Sequence, residues 1–132
     1  MKISASIVNE GNRHNVIVKT NESEKALNIA AKSTGNGSAV NGGEFLCLAL
    51  ATCFCNDLYR EAIKRGIKLN KVSVDAWAEF GGEGEAGYGF SYRADVDAEA
   101  NAEEISDLIR STDRVAEIQK TLRDGSDVRL IV

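Results

Sequence analysis

The sequence contains no proline at all and only one histidine, His14. Without proline, no residue of that kind can mark a linker or stop a helix, so glycine has to punctuate the chain. With one histidine, no His-rich metal box can form, and His14 sits in a stretch that reads as surface strand. No block of basic residues stands anywhere. The net charge of -4 and pI near 5.1 run against the basic footprint of a nucleic-acid binder or a grip on anionic lipid. There is no charged-then-apolar leader at the N-terminus and no internal repeat. Phosphate loop, dinucleotide fingerprint and nucleophile elbow are all missing. Gly81-Gly82-Glu83-Gly84 is a hairpin tip with no helix after it, so it is not a phosphate cradle. Three cysteines leave at least one unpaired, so they do not make a disulfide framework, and a reducing, cytoplasmic setting is expected.

What is present is organised around one stretch, Gly42 to Leu58. Turn-forming glycines and Glu44 open it, an apolar run holding Cys47, Cys53 and Cys55 fills it, and Asp57, Arg60, Glu61, Lys64 and Arg65 lead out to Gly66. Basic residues before a glycine suit a helix C-terminus, and the spacing predicts one helix over 44–65. Its first half is apolar on nearly every side, which means burial or a bilayer. A span needs roughly 18 or more apolar residues, and charges interrupt this run earlier. A long, buried central helix is therefore expected, with its thiols inside the protein or at a subunit interface.

Around that helix the 132 residues read as a single domain, 1–132. Residues 3–8 and 13–20 alternate about an Asn9–Asn12 turn and predict a hairpin. A third strand is expected over 26–31, then a Gly/Ser/Asn-rich loop to the helix. Residues 72–80 and 88–98 alternate cleanly as a second hairpin, with Trp77 on its polar side. Asn101 caps a short helix with Glu103 and Glu104 in its first turn. Ser111-Thr112-Asp113 offers a cap for a second helix ending at Asp124-Gly125, and 128–132 reads as a closing strand. The class is α+β with antiparallel pairing: three N-terminal strands, the long helix, two strands, two short helices and a C-terminal strand.

A thiol works as a nucleophile only as thiolate, and burial opposes ionisation unless a cation or hydrogen bond offsets it. A reactive cysteine here needs an Arg or Lys aimed at it. Arg13, just after the first turn, is one candidate, and a solvated strand end is its bland alternative. Buried Cys also packs simply as a small hydrophobe. Cys53 and Cys55 point to nearly opposite sides of a helix and cannot bridge while it is intact. Cys47 lies about 9 Å along the axis from Cys53. The same geometry weakens a Cys-x-Cys metal site, so no metal and no cofactor is expected.

Gly-Gly-Glu44-Phe-Leu46-x-x-Ala49-Leu-x-x-Cys53, after a three-stranded start and a Gly-rich loop, resembles the OsmC/Ohr family, the osmotically induced and organic hydroperoxide resistance proteins. The resemblance covers nearly the whole chain. It implies an intertwined homodimer with both long helices buried between wrapping sheets, and thiol-dependent reduction of organic hydroperoxides near the subunit interface. Carried over by position, Cys53 matches the peroxidatic Cys, Arg13 the Arg that lowers the thiol pKa, and Glu44 the acid that holds that Arg. The chain departs from the family pattern in two ways. Gly42 and Gly43 stand where a Pro precedes the Glu, and Ala116 stands where a second, resolving Cys opens the last helix. The resemblance thus implies a one-cysteine peroxidase that uses an external thiol reductant. The alternative is a non-catalytic member that kept the fold and binds an apolar small molecule.

Overall fold

The computed structural model describes residues 1–132. They divide into two compact units, 1–44 and 45–132. In the first, β1 (Ile3–Glu10), β2 (Arg13–Thr20) and β3 (Ser23–Leu27) form an antiparallel sheet in that order. Glu10 pairs with Arg13 across a turn of Gly11 and Asn12. Gly11 has φ 61°, the left-handed value that the first central residue of such a tight hairpin turn requires and that glycine reaches without strain.

The third strand begins earlier than the apolar pattern indicates. Asn21-Glu22 turns the chain at once, with Thr20 opposite Ser23 and Val16 opposite Leu27. The pairing ends at Leu27, so of the expected 26–31 stretch Ala26 and Leu27 lie in the strand, and beyond them only Ala31 pairs, in an isolated bridge to Ser38.

α1 (Gly42–Lys64) begins in the first unit and continues through the second. In the second unit β4 (Leu69–Phe80) and β5 (Gly87–Ala98) form an antiparallel hairpin, followed by α2 (Ala102–Val115) and α3 (Glu117–Asp124). Leu50, Phe54, Leu58 and Ala62 recur every four residues on α1 and are buried, so they form one stripe. Phe54, Leu58 and Ala62 join Leu108 of α2 and Ala116 in the core. Val72, Val74, Tyr92, Ala94 and Val96, the inward residues of the hairpin, pack against them. Phe54 meets Tyr92 edge to face at 4.8 Å between ring centroids. Full burial of a side chain such as Leu58 is worth about 1.5–3 kcal/mol. Trp77 points away from this core and is exposed, as the alternation predicts.

Asn101 caps α2 as expected, in a reciprocal box: its side chain accepts from the Glu104 N–H, and the Glu104 carboxylate accepts from the Asn101 N–H. The helix then passes straight through Ser111-Thr112-Asp113. Both hydroxyls donate back to the Leu108 carbonyl, 3.0 and 2.8 Å away, instead of capping a new helix. The break comes at Ala116, whose backbone is extended. Gly125, at φ 68°, closes α3 with its N–H on the Thr121 carbonyl.

The closing strand expected over 128–132 does not form within one chain. No strand edge pairs with it, and Val128, Leu130, Ile131 and Val132 are exposed. Nor is the central helix covered on all sides: Leu46, Leu48, Tyr59 and Ile63 are exposed, away from the stripe that packs in the second unit's core.

Candidate functional site

α1 sets Cys53, Asp57 and Arg60 on one face, four and then three residues apart. The half-buried Cys53 thiol donates to Asp57 Oδ2 at 3.4 Å, and its Sγ is 4.0 Å from Glu117 Oε2. Glu117 is the first residue of α3 and follows Ala116 directly, so the break between α2 and α3 places it here. Arg60 ties the acids together. Its Nη1 lies 2.9 Å from Asp57 Oδ1 and 3.3 Å from Glu117 Oε1, and its Nε lies 3.0 Å from Glu61 Oε1. Lys64 adds a second cation on Glu61 at 2.8 Å.

Burial pushes the Cys53 thiol above the ordinary range. A hydrogen bond from the Ile118 backbone opposes this, while the Asp57 and Glu117 carboxylates reinforce it. Burial also raises Asp57, with Glu117 adding to it and with Cys53 and Arg60 pulling the other way. Glu117 falls below its usual range because its own backbone N–H, at the start of α3, and Arg60 both favour the carboxylate. As one chain, the site therefore holds a protonated thiol that donates to a carboxylate and whose ionisation the two acids oppose.

The donor atoms of Cys53, Asp57 and Glu117 all lie within 4.8 Å of one another. A sulfur with two carboxylates is a set that a zinc-like ion accepts. Arg60 already supplies positive charge to both carboxylates, so this set can stand without a metal.

Of the residues carried over by resemblance, Cys53 lies in this cluster and the other two make different contacts. Arg13 is exposed and pairs with Glu10 at 3.0 Å. Glu44 caps α1: its Oε2 accepts from the Asn41 N–H at 2.7 Å, and its own N–H donates to Asn41 Oδ1 at 2.8 Å. Cys47 and Cys55 are free thiols, like Cys53. Cys55 lines a cavity of about 290 Å³ with Ala51, Thr52, Asn56 and Val74. Half-buried His14 accepts from the Asn9 amide at 3.2 Å through Nδ1 and leaves its buried Nε2 without a partner. Asp57, Arg60 and Glu117 are site residues that the sequence reading passed over. The i, i+4, i+7 spacing of Cys53, Asp57 and Arg60 was the available signal for two of them.

A second polar cluster belongs to the same unit. Tyr92 donates its hydroxyl to Asp113, and Arg123 holds the same carboxylate at 2.7 Å. Burial, reinforced by Asp113, pushes Tyr92 up to about 12.

Comparison with known proteins places these observations. No curated protein sequence matches the chain significantly. Its fold is similar to that of an OsmC-like protein of unknown function from Vibrio cholerae O1, with TM-score 0.63 and 12% identity over 92% of this chain and 93% of that one. An organic hydroperoxide resistance protein from Elizabethkingia anophelis, with thiocyanate bound, superposes with TM-score 0.58 and 19% identity over 95% and 90%. The organic hydroperoxide resistance protein OsmC from Legionella pneumophila gives TM-score 0.56 and 20% identity over 98% and 95%. No helix is long and apolar enough to cross a membrane. The family profile described as OsmC-like protein matches residues 35–131, most of the chain from the loop before α1 onward, so the protein belongs to the OsmC-like family.

Proposed function

We propose that this chain works as a cytoplasmic homodimer that reduces organic hydroperoxides with a single cysteine, Cys53. The observation that carries the reading is a half-buried thiol, Cys53, on the central helix of an OsmC-family chain, set among charged side chains. Cys53 loses its proton to solvent, and the thiolate attacks one peroxide oxygen. The S–O bond forms as the O–O bond breaks. Cys53 becomes a sulfenic acid, and the alkoxide takes a proton and leaves as an alcohol. An external thiol then condenses with the sulfenic acid, releasing water, and a second thiol frees Cys53 by exchange.

The family resemblance gives Arg13 the task of stabilising the thiolate and Glu44 that of orienting Arg13. In the single chain Arg13 is engaged by Glu10 and Glu44 by Asn41, so the proposed roles require both side chains to leave these partners. OsmC and Ohr proteins are typically dimers. The exposed apolar residues Leu48 and Ile63 of α1, at 57% and 77%, support the same assembly here.

Exposing the protein to near-stoichiometric cumene hydroperoxide and following each thiol by mass spectrometry tests the reading. Cys53 is expected to oxidise before Cys47 and Cys55. Cys53 recovered unchanged would end it. The second reading, a non-catalytic member that binds an apolar small molecule, is favoured by the elevated thiol pKa and by Ala116 at the position of the second cysteine. The pH dependence of Cys53 alkylation in the assembled protein separates the two. A midpoint below about 8.5, the free-thiol reference, supports catalysis, and one above it supports binding alone.

A further inference from the structure

Between β5 and α2 lies a cavity of about 530 Å³, within the second unit. That volume falls in the range of small-molecule sites, roughly 300–1,000 Å³. Phe54, Ala94 and Ile109 form its apolar wall, and Arg110 and Arg114 stand on its α2 side. The two arginines are one helical turn apart, where like charges repel. Arg93, also at the cavity, pairs with Asp75, and Arg123 is taken by Asp113, but neither Arg110 nor Arg114 has a carboxylate within 4.0 Å. The one acid of the lining, Asp113, is already satisfied by Tyr92 and Arg123. On a chain of net charge -4, two arginines without a salt-bridge partner stand at a largely apolar hollow. A guanidinium fork matches a carboxylate in a planar, two-pronged contact.

We propose that this cavity is a binding site for a small amphipathic carboxylate, its head held by Arg110 and Arg114 and its apolar body laid against Phe54, Ala94 and Ile109. The site is separate from Cys53. None of Cys53, Asp57 and Glu117 lines it, and adjacent residues on α1 point about 100° apart, so Phe54 faces the cavity while Cys53 faces the acidic cluster. The proposal therefore stands whether or not Cys53 reduces peroxide.

Titrating the isotope-labelled full-length protein with octanoate, and separately with octanamide, tests it. Saturable binding of octanoate is expected, with amide shifts concentrated at residues 92–94 and 109–114. Octanamide and the R110Q/R114Q variant are each expected to weaken binding by about tenfold or more, since a charge-assisted hydrogen bond is lost. Both arginines are exposed, and circular dichroism will show whether the double variant keeps its fold. Absence of saturable octanoate binding overturns the proposal. So does equal affinity for octanoate and octanamide, affinity undiminished in a folded R110Q/R114Q, or shifts centred on Cys53.

Discussion

Among residues 1–44 only Val16 is a buried hydrophobic, whereas residues 45–132 bury Leu50, Phe54, Leu58, Ala62, Leu108 and Ala116. Both units contain antiparallel sheet with alternating side chains. The difference lies in what each carries to cover its sheet. The β4–β5 hairpin has the α1 stripe and α2 on its inner face, so alternation in sequence becomes alternation in burial. The first unit contains its strands, a loop and only the first turn of α1, and Ile3, Ile7, Val8 and Leu27 are exposed. A small sheet without a covered face gains little from apolar burial. Alternation specifies a strand in both units, but it becomes alternating burial only in the second, where α1 and α2 pack on the hairpin.

The largest effect expected from that contrast is at Leu58. Leu58→Ala removes a fully buried side chain from the only multi-residue core and should cost about 2–5 kcal/mol in urea unfolding. Leu48→Asp sharpens the contrast from the exposed side. If a second copy covers that face, the wild-type unfolding midpoint rises with protein concentration, and the variant, sedimenting as a monomer, loses the dependence. A concentration-independent midpoint in the wild type would leave the exposed face uncovered in solution as well.

A pH effect follows at Tyr92, in the better-packed unit. Its folded pKa of about 12 lies above the unfolded value of 10, so its contribution is complete below pH 10 and is lost as pH rises from there to 12. Tyr92→Phe should flatten the alkaline decline of stability in that window, measured by chemical unfolding at each pH. The smallest change is Asn101→Ala, which opens the capping box of α2 and should cost about 1 kcal/mol by the same assay.

Much of this fold was legible because its signals are local. Gly11 in a tight turn, the strict alternation of 72–80, the Asn101/Glu104 cap and the Gly125 stop each act within a few residues. The errors fell where something distant decides. The β3 boundary is set by an immediate turn at Asn21, which left the apolar 28–31 stretch outside the sheet. Ser111 and Thr112 carry the chemistry of a cap, but with α2 already running they bond back to Leu108. The closing strand pairs with none of the strand edges of this chain. The site divides in the same way. Cys53 stood out as part of a motif, whereas Asp57 and Arg60 read as the polar end of a helix, and Glu117 reaches the thiol from 64 residues away. The role expected of Glu44 came from family likeness alone, Arg13 was otherwise one candidate cation among several, and no spacing in the sequence links either to Cys53.

Three sulfurs ride on one rod, at positions 47, 53 and 55, and each successive residue turns about 100° around the axis. They look out in different directions: one toward paired carboxylates, one into a small hollow beside Val74, and one near the start of the rod. A single alkylating reagent, read thiol by thiol, can therefore survey separate sides of the longest element in the molecule without any engineered label.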